Sequence, residues 1–162
     1  MFKLSNLFSF LTDFLIRSFF GLIFFNFGYG KLEKLINGES ENLIKMVESI
    51  FLFGLFPVFF SWCLALSETF LFVGFIYGLF VFFPYSIIIS RLSGLIALVI
   101  SLVIVYQHIY VWGDNVFFNG PIQFLNTNEN KKFIYPQLLF VPISMYIIFN
   151  NRTNMDKIID NK

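Results

Sequence analysis

The sequence predicts an all-α membrane protein, a four-helix transmembrane bundle with a short amphipathic helix between spans one and two. Hydrophobic residues make up 57% of the 162 residues and charged residues only 13%. Soluble domains carry roughly 25% charged residues, so a water-soluble fold could not cover its surface with this composition. Four stretches approach the about 20 apolar residues that a membrane-spanning helix needs. We therefore expect the lipid bilayer to be the main partner of the chain.

Charge and composition exclude several functional classes. The net charge of +1 provides no basic face, so we expect no nucleic-acid partner. A single cysteine rules out a disulfide within the chain and a CxxC redox pair. With one histidine besides, we predict no metal site.

The first span is predicted over residues 10–29. Asp13 and Arg17 lie four residues apart near its start and can pair on one helix face. The run before it either lies on the membrane surface or extends the span, since its apolar residues repeat at helical spacing. No small-residue cleavage site follows the span, because Gly30 leads directly into Lys31, and we therefore expect no signal-peptide cleavage.

The segment 31–48 is the most charged part of the chain and separates the first two spans. Gly38 marks a turn within it. After this turn, apolar residues recur at the spacing of one helix face: Leu43, Ile44, Val47, Ile50 and Phe51. This pattern predicts a short amphipathic helix, with the membrane interface as one position for it.

The remaining three spans are predicted over 57–79, 86–111 and 133–149. Pro57 and Pro84 set the boundaries of the second and third, because proline suits the first turn of a helix and interrupts its interior. Pro142 is expected to kink the fourth. Residues 1–150 therefore form one transmembrane domain, and 151–162 form a polar tail.

The distribution of basic residues favours cytoplasmic termini. With four spans, six basic residues share the side of the termini and five lie opposite, so the positive-inside rule places the termini inside the cell. The expected location is the cell (inner) membrane, as a multi-pass protein.

Glu68 is the most informative residue because it falls near the middle of the second span. A charged carboxylate at the bilayer centre costs at least ~2.5 kcal/mol on insertion scales, so its side chain should face the bundle interior and find a partner. Ser61 and Ala65 lie on the same helix face. Two interpretations remain open: a structural hydrogen-bonded acid, or a site that handles protons or binds a polar headgroup.

Three further residues are candidates for a polar site or an anchor. His108 lies near the end of the third span, where it is either an interfacial residue or a proton-relay or quinone contact. Arg17 lies inside the first span, so it needs a partner such as Asp13 or Glu68. Lys31, at the far end of that span, is explained as an anchor at the interface. We predict that Glu68, His108 and Arg17 converge on one side of the bundle.

Several short motifs together resemble the DoxX family of small four-helix integral membrane proteins. The order and spacing of these residues carry the resemblance: Arg17, Gly21, Gly28 and Lys31 in the first span, Glu68, Gly74 and Gly78 in the second, and Arg91 and His108 at the two ends of the third. The long apolar stretch 79–90 and the few glycines of the fourth span depart from the family pattern.

The resemblance implies a four-helix membrane bundle that acts as an accessory or quinone-contacting subunit of a membrane redox system. Quinone is then the expected cofactor, and a redox protein or a homo-oligomer the expected partner. Electrons would have to pass through a bound cofactor or partner, because the sequence contains no redox centre of its own. The alternative is a non-enzymatic membrane scaffold or a carrier of small solutes, in which the polar residues only hold the bundle together.

Overall fold

The fold is all-helical in the part of the chain that the structure describes. The computed structural model describes residues 4–50, 53–80, 82–107, 110 and 135–149. These contain five helices and no strand: α1 (Leu4–Ile36), α2 (Glu41–Glu48), α3 (Pro57–Tyr77), α4 (Ser86–Tyr106) and α5 (Tyr135–Phe149). Three of them, α1, α3 and α4, are long and apolar enough to cross a membrane. The apolar part of α5, Leu138–Phe149, is shorter than a spanning helix.

Helix α1 is longer than the predicted first span at both ends. The apolar run before residue 10 joins the helix, and the helix continues past Tyr29 to Ile36. The continuation has a physical cause, because Leu32 and Leu35 extend the apolar face and Leu35 is buried against the next two helices. Lys31 therefore lies within α1 and not in the connecting segment.

Helix α2 packs against the bundle through one face. Its buried residues, Leu43 and Val47, form a cluster with Leu35 of α1 and Ala65 of α3. Two of its charged residues, Lys45 and Glu48, are exposed. The amphipathic pattern in the sequence thus corresponds to a helix that covers one end of the α1–α3 pair.

Small residues bring the long helices close together. Gly21 of α1 lies against Phe72 and Gly28 lies against Ala65 and Thr69, so α1 and α3 run antiparallel. Gly74 and Gly78 of α3 face Ser93 and Ser90 of α4, and Gly94 of α4 faces Ile148 of α5. Close contact between helix backbones supplies the van der Waals packing that holds helices together in lipid, where the hydrophobic effect contributes little.

An aromatic cluster fills the centre of the bundle. Phe20 and Phe24 of α1 contact Phe140 of α5, and Phe20 also stacks on Phe75 of α3 at 5.5 Å between ring centroids. Helices α1 and α5 line an apolar groove of about 580 Å³. Helix α5 packs mainly on α4 and contacts α1 through Phe140.

Candidate functional site

A buried ion pair joins α1 to α3 near the middle of the bundle. The Nζ atom of Lys31 donates a hydrogen bond to Oε2 of Glu68. The side chain of Glu68 is fully buried, whereas that of Lys31 is 22% exposed. The Nζ atom of Lys31 also lies over the ring of Phe27, 6.0 Å from its centroid. A charged acid in the interior is thus matched by a cation that reaches the surface of the bundle.

The sequence around Lys31 lets its side chain reach across to α3. Gly28, one turn earlier, contacts the backbone of Ala65 and Thr69, and any side chain at this position would collide with α3. The hydroxyl of Thr69 donates to the carbonyl of Ala65 within its own helix, so it does not compete for Glu68. The close approach of the two backbones at Gly28 therefore brings Lys31 within reach of Glu68.

The ion pair leaves one strong acceptor unused. Within the described residues, Oε1 of Glu68 is buried and has no hydrogen-bond partner. A lysine ammonium has three donors, of which Glu68 Oε2 takes one. Side by side, the two groups offer an acceptor and donors to a polar molecule. Among the described residues, three further buried side-chain atoms have no hydrogen-bond partner, and such atoms are rare in folded proteins: Oδ2 of Asp13 and Oγ of Ser18 and Ser144.

A second buried polar centre lies near the middle of α1. The Nε atom of Arg17 donates to Oδ1 of Asp13 at 2.8 Å, and its Nη1 atom donates to Oγ of Ser90 at 2.6 Å. Arg17 is fully buried and Asp13 nearly so, and Ser90 packs directly on Gly78. This centre connects α1 to the beginning of α4, close to the C-terminal end of α3.

The structure does not bring Arg17 and Glu68 together. Lys31, which holds Glu68, lies roughly four helical turns, or about 21 Å, beyond Arg17 along α1. Of the two partners expected for Arg17, the structure therefore gives Asp13 and not Glu68. The single polar site predicted from sequence is instead two separate centres. His108, the third predicted member, lies outside the described residues.

The other predicted positions have simple structural roles. Gly21 and Gly28 are points of close approach between α1 and α3. Arg91 is exposed, one residue after Ser90 near the beginning of α4. Among the described side chains, no three His, Cys, Asp or Glu residues come together as metal ligands.

Sequence reasoning missed the role of Lys31 as the partner of Glu68. The interpretation as an interface anchor placed this residue at the end of the first span, but α1 continues beyond it. One signal was available: an isolated acid in the second span requires a cation, and the sequence places Lys31 three residues after a glycine that allows close approach. A scan against protein-family models and searches of curated proteins and of solved structures found no match to the chain.

Proposed function

We propose that this protein is a DoxX-like integral membrane protein of the cell (inner) membrane that contacts quinone as an accessory subunit of a membrane redox system. In this proposal α5 is the fourth transmembrane helix beside α1, α3 and α4, and both termini lie in the cytoplasm. The observation that carries the proposal is the buried pair of Lys31 and Glu68 with an unpartnered carboxylate oxygen.

The chemistry of this pair fits a quinone headgroup in both of its redox states. A quinone carbonyl accepts a hydrogen bond, which the ammonium of the partly buried Lys31 can donate. A quinol hydroxyl donates one, and Oε1 of Glu68 is a buried acceptor without a partner among the described residues. When bound, quinone supplies the two-electron chemistry, while the side chains of the protein bind and orient the headgroup. The electrons would be exchanged with a partner protein.

The remaining predicted site residues have separate tasks in this proposal. Arg17 holds α1 against α4 through Ser90 and so positions the bundle, at a distance from the quinone. His108 follows Tyr106, the last residue of α4, and is proposed as a second quinone contact. Gln107, its neighbour, donates to the carbonyl of Met46 in α2, which ties this end of α4 to the helix that covers the α1–α3 pair.

A specific observation favours the alternative, a membrane scaffold or a carrier of small solutes without enzymatic activity. Both polar centres connect helices: Arg17 links α1 to α4, and Lys31 links α1 to α3. Interhelical hydrogen bonds of this kind stabilise membrane bundles without any ligand. The two functions differ in one measurable respect, because only the first requires a quinone at Glu68.

The test is the quinone content of the purified protein. Wild type, Glu68→Gln and His108→Ala are purified in mild detergent, and the bound lipid fraction is extracted and analysed for quinone beside the melting temperature. Asp13→Asn is the matched control, because it alters the other buried carboxylate. We expect quinone in wild type and in Asp13→Asn but not in Glu68→Gln. Equal quinone in all variants, with a lower melting temperature for Glu68→Gln, would favour the scaffold.

A further inference from the structure

Helix α1 carries a polar residue on its outer surface at mid-membrane depth. Asn26 is exposed, and Gly28, two residues further, contacts Ala65 and Thr69 near the middle of α3. Asn26 is therefore level with the middle of α3, and with α1 and α3 spanning the membrane this level lies in the hydrocarbon region. A primary amide transferred to an apolar medium without hydrogen bonds loses several kcal/mol on the cyclohexane scale, roughly 4–8. Lipid chains offer no hydrogen-bond partner to this side chain.

The other outward surfaces at this depth differ. The exposed residues in the middle of α3 and α4 are apolar, and they include Leu66, Phe70, Leu95 and Val99. Lipid chains satisfy such surfaces completely. The amide of Asn26 thus distinguishes one face of α1 from the exposed middle of α3 and of α4.

The residues around Asn26 form one exposed stripe along α1. Exposed residues follow one another at alternating intervals of three and four along α1: Phe19, Leu22, Asn26, Tyr29 and Glu33. A helix pair can use such a row as its contact seam. The exposed face of α4 has the same spacing, so the amide of Asn26, and not the spacing, marks this row as the seam. Beside the seam, Gly30 has open space around it, so an approaching helix meets no obstacle there.

We propose that this seam is the interface of a parallel homodimer in which Asn26 of one copy hydrogen-bonds to Asn26 of the other. All copies of a membrane protein that insert with one topology have α1 in the same direction, so both Asn26 residues lie at the same depth. An amide contains both donors and an acceptor and therefore pairs with itself across a two-fold axis. A single asparagine in the seam of a helix pair also fixes the register and favours two strands.

Disulfide crosslinking in native membranes tests the proposal. The only cysteine of the chain, Cys63, is first replaced by serine, and Leu22→Cys is introduced in the seam. Leu66→Cys is the matched control, because Leu66 is similarly exposed (42% against 48% for Leu22) but lies on α3. We expect a crosslinked dimer with Leu22→Cys under mild oxidation and little with Leu66→Cys.

The role of the amide is tested by adding Asn26→Leu or Asn26→Gln to the Leu22→Cys protein. Loss of the interhelical hydrogen bonds should weaken dimer association about 5- to 30-fold, the range that model transmembrane helices indicate. Asn26→Gln should restore most of the dimer because it keeps the amide. Quinone content should be unchanged in both variants, since the seam faces away from Glu68, and this separates the outcome from that of the proposed function.

Three results would overturn the dimer. Equal crosslinking with Leu22→Cys and Leu66→Cys would show that the seam is not a preferred contact. A dimer fraction unaffected by Asn26→Leu would show that the amide does not hold the copies together. If the protein is monomeric and Asn26→Leu lowers its melting temperature, the amide makes a contact within the chain, which would contradict the proposal.

Discussion

Gly28 is the position where a single added methyl group should do most damage to the α1–α3 pair. A Cβ atom there would lie 2.5 Å from both the backbone nitrogen and Oγ1 of Thr69, and 2.9 Å from the carbonyl oxygen of Ala65. An ordinary contact requires at least 3.4 Å, so the helices must separate by about 0.9 Å. The obstructing atoms are mainly backbone and cannot rotate away. Overpacking of this kind costs about 1–3 kcal/mol.

The assay is unfolding of Gly28→Ala in a titration with a denaturing detergent, compared with wild type and with Gly30→Ala. Gly30 lies two residues away on the same helix, and a Cβ atom there meets nothing within 4 Å. Gly30→Ala should be neutral or more stable, since alanine is favoured over glycine in a helix by up to about 1 kcal/mol. Equal free energies of unfolding for the two variants would refute the close approach of α1 and α3 at Gly28.

Three other predictions follow from the polar centres and the topology. Lys31→Met should lower the free energy of unfolding by about 3–5 kcal/mol, because it leaves Glu68 buried without a counter-ion, and the double variant with Glu68→Gln should recover part of this loss. Ser90→Ala should cost about 1.5–3 kcal/mol through the lost bond to Arg17, whereas Ser101→Ala, whose hydroxyl bonds within its own helix, should cost less. If the bundle has four spans, reporter fusions after Asn37 and after Asn126 should report the same side of the membrane, and a fusion after Arg152 the opposite side. Fusions after Asn126 and Arg152 that report the same side would show that no fourth span exists.

The class of fold follows directly from the sequence. Long apolar runs without enough charge for a soluble surface predict membrane-spanning helices, and α1, α3 and α4 have the required length and composition. Prolines and glycines are strong local signals, and α3 begins at Pro57. Helix α1 continues beyond the predicted end of the first span, because the buried contacts of Leu35 that extend the helix arise only in the folded protein.

The candidate site was less predictable than the fold, because its contacts join distant parts of the chain. Composition and depth identified Glu68 as a costly residue, but its partner is 37 positions away. Asp13 and Arg17 were predictable as a pair because helical periodicity alone places them together. The bond from Arg17 to Ser90 spans 73 positions and depends on how α1 packs against α4, which helical periodicity does not specify.

Direct binding of a quinone to the Lys31–Glu68 pair tests the central claim most directly. Trp62 lies on α3, roughly two turns or about 9 Å before Glu68 along the helix, so a quinone bound there should quench its fluorescence. The titration uses protein in liposomes that carries Trp112→Phe, so that Trp62 is the remaining tryptophan. A soluble short-chain quinone should quench wild type and Asp13→Asn in a saturable manner, and should quench Glu68→Gln only in proportion to the quinone dissolved in the bilayer. Saturable quenching of equal strength in Glu68→Gln would contradict the assignment of the quinone to this carboxylate.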